Sequence, residues 1–417
     1  MNNQTHLTSI IFALFLALCI AACHTDKQTG AVYTVDLNEG LKTEREFRLS
    51  EVVKDVEYIP LETTKESLFS SAGYILTDNH ILVYQWRNPC RLLLFDRSGK
   101  FIRQIGHEGK GPGEYISMNH VYPDPSEEWM IIYDYQAKRV LKYGFDGTLL
   151  SEFDASEKIS GSISSMVFIE GERIAVKRSR PTSHADHYPL IQIFDYDFNL
   201  LQEKFFVYTE DLNASGWGSI GSTFYYQDKK LHIREFFYDT LFVETEEEFK
   251  PQFYFKIEGE RPPGHYITFG AQGGGFSVFS YSALLSSQPL GNLQLLTVVP
   301  KPLSMEEDWF YNFMIFNPKT KDLFALKTVP VCSDEPEAVD RPGILNDMDG
   351  YMNLTAFNQT DGYLFRSLEM LDLYRWMDDG CAMGQEVRLP KKRDELTRII
   401  KSRSIEDNPV IQVFKLK

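Results

Sequence analysis

The stretch Arg91–Ile105, RLLLFDRSGKFIRQI, decides the fold. An apolar run ends at Phe95, a polar segment with Asp, Ser and Gly follows, and a second apolar segment begins at Phe101. Short Gly-containing loops between two apolar runs are typical of tight β-hairpins, because Gly accepts the positive φ that such turns require. We therefore predict a strand, a turn at Arg97–Gly99 and a second strand that pairs with the first.

This hairpin pattern recurs along the chain. The further copies are Arg139–Phe153, Leu190–Phe206, Leu241–Phe255 and Phe313–Leu326. The first apolar residues after the five turns are Phe101, Leu149, Leu200, Phe249 and Leu323. They follow one another at intervals of about 50 residues, which is in the range of propeller blades. The one longer interval contains an insertion rich in Gly, Pro and Ser, Gly259–Asn292.

A further strand-like run precedes each hairpin. These runs are His80–Gln85, Trp129–Asp134, Arg173–Arg178, Lys230–Glu235 and Leu293–Val299. Three or four strands per repeat is the content of a propeller blade. One blade cannot bury both of its faces alone, so we expect the blades to stack around a closed ring.

A sixth blade is predicted from the two ends of the chain. Gly350–Arg366 supplies two strands, Tyr351–Phe357 and Gly362–Arg366, and the carboxyl-terminal Asn408–Leu416 supplies a third. We expect the fourth strand within Phe47–Leu61. Pairing both chain ends in one blade would close the ring and remove two exposed sheet edges.

Two helices are predicted between the pieces of that blade, Ser367–Trp376 and Pro390–Arg403. The second begins with Pro390, which is favoured in the first turn of a helix. The predicted fold class is all-β: a single six-bladed β-propeller over residues 47–417, closed by amino- and carboxyl-terminal strands in one blade, with short carboxyl-terminal helices.

The amino terminus indicates export. Ile10–Ala22 is an apolar run of about 13 residues, shorter than the roughly 20 that span a bilayer but suited to a signal peptide. Its end, Ile20-Ala-Ala-Cys23, resembles the lipobox of bacterial lipoproteins. The resemblance implies cleavage before Cys23 and lipidation of its thiol. We predict a lipoprotein signal peptide over residues 1–22, and a lipidated cysteine with a flexible tether over 23–46; the alternative is a buried terminal strand or helix.

Cysteine usage is compatible with export. The chain has five cysteines. After removal of the signal peptide and lipidation of Cys23, Cys90, Cys332 and Cys381 remain. They allow at most one internal disulfide, and three isolated thiols are an equally open alternative.

Five motifs carry a resemblance to a known family: Val56–Thr63, Phe95–Gly106, Gly109–Tyr115, Phe237–Phe242 and Asp407–Ile411. They resemble six-bladed β-propeller lipoproteins of Gram-negative bacteria, which are similar in blade style to NHL-repeat propellers. The resemblance covers residues 47–417 and implies the fold and the lipoprotein character. No reaction is assigned to that family, so the resemblance implies no catalytic residue.

Several local motifs allow a structural or a functional interpretation. The four glycines of Gly106–Tyr115 could line an anion or sugar site, but a tight loop between blades is favoured. Gly216–Gly221 matches GxGxxG, yet a strand-like segment follows it where a nucleotide fingerprint needs a helix. His184 and His187 flank Asp186 in a polar segment without metalloprotease spacing, so we expect a solvated loop.

Two charged motifs are also expected to be structural. Asp347–Gly350 resembles part of a calcium loop, but it lacks the distal Glu, so a turn capped by Asp side chains is favoured. Lys391–Arg393 with Arg398, Lys401 and Arg403 forms a basic cluster. We expect the solvated face of a helix there, with a membrane or partner patch as the alternative. We assign no catalytic residue, metal site or cofactor.

The predicted function is binding. A net charge of −16 argues against nucleic acid and against electrostatic docking on anionic lipid. We expect a cell-envelope propeller anchored through its lipid alone, an outer-membrane lipoprotein facing the periplasm or the exterior. It would act as a binding or scaffold module for an envelope protein, or for a glycan or peptide ligand. The alternative is an envelope hydrolase or lyase acting on a glycan or related small molecule at the central channel.

Three unusual loops form the predicted contact surface: Gly106–Tyr115, Thr182–Tyr188 and Gly259–Asn292. Loops on a rigid ring are suited to recognition. Trp217, Phe276 and Tyr281 are candidate aromatic contacts for a sugar or peptide, although core packing is an equally good explanation for each. The ligand-binding residues are otherwise unassigned.

Overall fold

Six antiparallel sheets account for most of the chain. The computed structural model describes residues 32–86, 89–159, 161–178, 189–205, 223–235, 239–246, 248–259, 283–299, 312–329, 341–351, 353–354, 357–360, 362–378 and 386–417. Each of the six sheets contains four strands that are consecutive along the chain, except where the chain ends meet. We call these sheets blades I to VI.

The strands of each blade are given in order from its first to its fourth. Blade I contains Gly73–Leu76, His80–Gln85, Arg91–Asp96 and Phe101–Ile105. Blade II contains Met118–Pro123, Trp129–Asp134, Arg139–Gly144 and Leu149–Asp154. Blade III contains Ile163–Ile169, Arg173–Arg178, Pro189–Asp195 and Leu200–Phe205.

The remaining blades follow the same plan. Blade IV contains Thr223–Gln227, Lys230–Arg234, Thr240–Glu244 and Phe249–Lys256. Blade V contains Ala283–Leu290, Leu293–Val299, Asn312–Phe316 and Leu323–Leu326. Blade VI contains Asn358–Thr360, Tyr363–Leu368, Val410–Leu416 and Val53–Pro60. The helices are α1 (Leu37–Leu41), α2 (Ala155–Lys158), α3 (Met370–Asp378) and α4 (Pro390–Lys401).

The blades are arranged radially. First strands of neighbouring blades contact one another from blade II to blade V, so the first strands surround the central axis and the fourth strands lie at the rim. Apolar side chains fill the space between blades. Between blades I and II, Leu94, Met130 and Leu141 pack around Tyr115, which is fully buried. The predicted six-bladed β-propeller is confirmed.

Both chain ends lie in blade VI, as predicted. Val53–Pro60 runs antiparallel to Val410–Leu416, with Val56 opposite Phe414. The prediction of a strand at Tyr351–Phe357 was wrong, because the first strand of this blade is Asn358–Thr360.

The physical reason for this correction is a turn that occupies the predicted position. The backbone N–H of Tyr351 donates to the carboxylate of Asp349, and the carbonyl of Tyr351 accepts from the amide of Asn346. These side-chain bonds hold the backbone in a turn and compete with strand pairing.

Residues 33–60 form a strap across three blades. Tyr33–Asp36 adds a fifth, parallel strand to the rim of blade IV, and Glu44–Arg45 does the same on blade V. The strap then supplies the fourth strand of blade VI. The predicted flexible tether over residues 23–46 is therefore corrected from Val32 onward, while the earlier residues lie outside the described part. Val35 and Leu37 are buried in the core between blades IV and V, which explains the ordered backbone.

Three of the five hairpins that predicted the fold share one turn geometry. In blades I, II and III the turn residues Gly99, Gly147 and Phe198 have φ values of +87°, +86° and +58°. Each turn coincides with a register shift between the third and fourth strands. This combination is the type I turn followed by a left-handed residue in a bulge.

The two faces of the ring differ. Because successive strands alternate in direction, the connections from first to second and from third to fourth strand lie on one face, and all others lie on the opposite face. The described connections of the first group are tight, for example 77–79, 97–100 and 228–229. The second group includes 61–72, 106–117 and 369–409. We call these the short-turn face and the long-connection face.

Candidate functional site

The described strands that flank the three predicted contact loops end at the long-connection face. Residues 106–117 join blade I to blade II, 179–188 join the second and third strands of blade III, and 257–282 join blade IV to blade V. The insertion predicted as Gly259–Asn292 is shorter than expected, because Ala283–Leu290 is the first strand of blade V. Residues 179–188 and 260–282 lie outside the described residues.

The glycine-rich loop Gly106–Tyr115 is a loop between blades, as favoured from the sequence. The N–H of Gly111 donates to the Glu114 carboxylate at 2.7 Å, and the N–H of Gly113 donates to the Glu152 carboxylate at 2.7 Å. These backbone donors are thus satisfied by the protein itself. The loop serves packing between blades I and II.

Two exposed aromatic side chains stand on the long-connection face. Trp86 follows the second strand of blade I and is 40% exposed, and Tyr135 follows the second strand of blade II and is 51% exposed. Their rings contact Tyr84 and Tyr133, with centroid distances of 6.2 Å and 6.5 Å. Neither residue was predicted as a contact from the sequence. Both positions share a sequence pattern that could have identified them: the second strand ends in a polar residue, and an aromatic residue follows it directly.

The polar residues before these aromatics are buried anchors. Asp134 accepts hydrogen bonds from the N–H of Ile116 at 2.6 Å and from the hydroxyl of Ser117 at 3.2 Å. The amide of Gln85 donates to the Ser70 carbonyl at 2.8 Å. Both anchors hold the connection that enters their own blade, so Trp86 and Tyr135 project from a rigid base.

Charged residues also lie buried near the ends of the second strands of blades III and IV. The Lys177 ammonium lies 2.8 Å from the Glu235 carboxylate, and both side chains are buried. Arg234 donates to the carbonyls of Leu284 and Leu285 at 3.2 Å and 2.9 Å. Burial lowers the pKa of Arg234 to about 10, and the nearby carboxylates oppose that shift. These contacts connect blades III, IV and V around the axis.

Of the three cysteines considered for a disulfide, the structure describes one. Cys90 is a buried free thiol, and burial raises its pKa to about 11, so it is protonated at neutral pH. Among the residues with described positions, no group of three or more His, Cys, Asp or Glu side chains could hold a metal ion. Cys332 and Cys381 lie outside this part of the chain.

The Asp347–Gly350 motif forms a turn whose carboxylates are occupied by protein donors. Asp347 accepts from the backbone N–H and the hydroxyl of Ser50 at 2.9 Å and 2.6 Å. It also accepts from Arg388 Nε at 3.0 Å. These bonds join the strap to the connection that enters blade VI, which explains the motif structurally.

The members of the basic cluster differ in their surroundings. Lys392 is partly buried, and its ammonium lies 2.9 Å from the Glu395 carboxylate. Arg393 Nε donates to the Asp349 carbonyl at 3.0 Å, and Arg403 donates to the Leu61 carbonyl at 2.7 Å, so both hold the fold. Lys391, Arg398 and Lys401 are exposed on or at the end of α4. The predicted solvated helix face thus consists of this smaller set.

The other predicted site residues fall outside the described residues: Cys23, His184, Asp186, His187, Gly216–Gly221, Trp217, Phe276 and Tyr281. In the part of the chain with described structure, no helix is long and apolar enough to cross a membrane.

Comparison with known proteins agrees with this architecture. One similar solved structure is that of a Bacteroides fragilis protein whose name proposes that it is exported. The two sequences are 17% identical, and the structures superpose with a TM-score of 0.63. The match covers 93% of this chain and 100% of the other. A DUF4221 family member from Bacteroides vulgatus is 12% identical with a TM-score of 0.50, covering 88% of this chain and 98% of its own. At these identities the likeness shows the fold alone.

Family membership comes from the sequence. No curated protein matches the chain. A family model described as a domain of unknown function, DUF4934, matches residues 32–415. The match begins one residue before the strap and ends within the strand Val410–Leu416 of blade VI. The chain therefore belongs to the DUF4934 family.

Proposed function

We propose that this protein is a lipid-anchored binding module of the cell envelope, and that it engages a protein, glycan or peptide partner on its long-connection face. The observation that carries the proposal is the pair of exposed aromatic residues, Trp86 and Tyr135, set on buried anchors. Rigidly held Trp and Tyr side chains contribute strongly to recognition, because little conformational entropy is lost when they are covered.

Binding is favoured over the hydrolase or lyase alternative by the state of the polar groups on this face. Asp134 is engaged by backbone and hydroxyl donors, and Lys177 is paired with Glu235. Groups committed to such contacts support the ring and its loops. Among the described residues of this face, Trp86 and Tyr135 are aromatic side chains that remain exposed to a partner.

The anchor is part of the same proposal. Its support is the lipobox-like Ile20–Cys23, together with the Bacteroides fragilis protein of the same fold, whose name proposes that it is exported. In this proposal residues 1–22 are removed and Cys23 carries lipid in the outer membrane. The strap begins at Tyr33, so the ten-residue step from the anchor to the ring would reach at most about 36 Å.

Site-specific photocrosslinking in intact cells tests the proposal. A photoreactive phenylalanine derivative replaces Trp86 or Tyr135, and the matched controls place it at Lys100 or Thr148, exposed residues on the short-turn face. We expect a discrete adduct from positions 86 and 135 and none from the controls. Absence of adducts, or equal adducts from both faces, would contradict the proposed face. In the same cells Cys23→Ala should release the protein from the membrane fraction, and undiminished membrane association would contradict the anchor.

A further inference from the structure

A crevice on the other side of the ring has the features of a ligand site. It lies between blades IV and V, is bordered by the short turns at Asp228, Gly291 and Pro318, and has a volume of about 770 Å³. Small-molecule sites commonly have volumes of about 300–1,000 Å³. The crevice is separate from the long-connection face, so an inference about it is independent of the proposed function.

His232 is the central polar group of this crevice. It is only 8% exposed, and neither of its ring nitrogens has a hydrogen-bond partner within the described structure. The Gln252 side chain and the Gln227 backbone lie close to it without forming a hydrogen bond of good geometry. Buried polar groups are nearly always paired, and an unpaired one costs about 1–3 kcal/mol. The ring therefore presents hydrogen-bonding capacity that the protein leaves unused.

The protonation state of His232 defines what it can bind. Burial lowers the pKa of His232 below its ordinary value, so the imidazole is neutral at pH 7. A neutral imidazole has one donor nitrogen and one acceptor nitrogen. A hydroxyl group both donates and accepts, so hydroxyl groups can satisfy either nitrogen.

The wall behind His232 is rigid. His232 lies directly opposite Tyr225 in the sheet, and the two rings stack at 4.8 Å with an interplanar angle of 3°. The Tyr225 hydroxyl accepts from the amide of Gln294 at 3.2 Å, and Gln294 accepts from the hydroxyl of Ser287 at 3.2 Å. The imidazole is thus held in place before any ligand arrives.

The charges around the crevice favour a neutral ligand. The Lys321 ammonium lies over the rings of Tyr33 and Phe253, at 4.8 Å and 4.7 Å from their centroids, and donates to the Pro318 carbonyl. It is thus already engaged. The other charged residues that line the crevice, Lys319 and Asp228, have opposite signs.

We propose that this crevice binds a neutral, polyhydroxylated ring compound, a short oligosaccharide. Ligand hydroxyl groups pair with the two nitrogens of His232 and with the amide of Gln252. The apolar ring faces of the sugar contact the aromatic lining. Amide, imidazole and aromatic groups without a net charge provide the donors, acceptors and apolar surface that such a molecule presents.

The test follows His232 directly in the full-length protein. The imidazole C–H signals of the nine histidines are recorded by NMR during titration with cellobiose, xylobiose, mannobiose and chitobiose, and with inorganic phosphate as the charged probe. The His232 signal is identified by its loss in His232→Phe. We expect a saturable shift of that signal with at least one disaccharide and none with phosphate.

Variants separate recognition from folding. His232→Phe keeps a ring against Tyr225 but removes both nitrogens, so affinity for the responding disaccharide should fall about tenfold or more while the thermal midpoint is retained. Gln252→Ala, at a partly exposed position, should weaken binding as well. His120→Phe is the matched control, because His120 stacks on Tyr122 in blade II and should leave affinity unchanged. No shift with any disaccharide, full affinity in His232→Phe, or a larger response to phosphate would overturn the proposal.

Discussion

A single buried carboxylate, Asp349, holds the two chain ends together. It accepts from the Tyr58 hydroxyl in the amino-terminal strand and from the Gln412 amide at 2.5 Å in the carboxyl-terminal strand. It also accepts from the Asn346 amide at 2.7 Å and the Tyr351 N–H at 3.0 Å. Burial and the adjacent carboxylate raise the pKa of Tyr58 well above its usual range, so its phenol remains a donor.

Replacing Asp349 with alanine should therefore destabilise the whole ring. Several buried donors would lose their acceptor at once, and we expect a loss of about 3–5 kcal/mol in the free energy of unfolding, measured by urea denaturation. The matched control is Asp372→Ala in α3, whose half-exposed carboxylate lies 3.8 Å from Arg375. That change should cost less than about 1 kcal/mol. Similar losses in both variants would show that Asp349 has no special role.

At the scale of elements, the first part of the strap, residues 33–46, is the feature that could not be predicted from the sequence. Its strands Tyr33–Asp36 and Glu44–Arg45 are very short, and they pair in parallel with residues more than 200 positions away. Parallel pairing of this kind requires no turn, so it leaves none of the local chemistry that identifies a hairpin. The repeating hairpins, by contrast, were predictable because Asp96, Gly99 and their counterparts define each turn locally.

Leu37 tests whether the strap contributes to stability. It is fully buried in the cluster that contains Phe255 and Phe316. Leu37→Ala should lower the free energy of unfolding by about 2–4 kcal/mol, since it removes buried methyl groups and leaves a cavity. Glu39→Ala, at an exposed position on the same helix, should have little effect. If residues 32–46 were a flexible tether, the two variants would unfold at the same urea concentration.

The candidate site shows the same limit of local inference. The strand order alone implied that the strands flanking the three predicted loops end at one face of the ring. Trp86 and Tyr135 were not identified, because an exposed aromatic residue and a core aromatic residue look alike in a sequence. Their exposure depends on where the second strand ends relative to the ring axis. His232 was not predicted for a related reason. Whether its ring nitrogens are paired depends on side chains such as Gln252 that approach it only in the fold.

At the scale of the whole molecule, the ring is closed by one pair of strands. Asp55 lies opposite Lys415 across that pair, and their charged groups are 3.9 Å apart. Replacing both residues with cysteine would place the two thiols on facing side chains at the rim. A disulfide there would join the first and last strands of the propeller.

The Asp55→Cys, Lys415→Cys variant should form this bond on oxidation, and mass spectrometry should detect the linked peptides. Because the closed loop includes nearly the whole chain, we expect stabilisation by about 2–4 kcal/mol relative to the reduced form. The single variant Asp55→Cys, oxidised in parallel, controls for other thiols. Failure of the two cysteines to pair would mean that the chain ends do not share a sheet.

Because of the strap, the outer strands are covered on some blades and exposed on others. It shields the peptide groups along blades IV and V, and α4 packs against the outer strand of blade VI. Blades II and III have no such cover in the described structure, and there Leu150 and Leu201 are 52% and 53% exposed. Unshielded outer strands are where other polypeptides add by edge-to-edge pairing. In the described structure blades I, II and III carry no fifth strand, so we expect lateral association through the backbone on that half of the circumference.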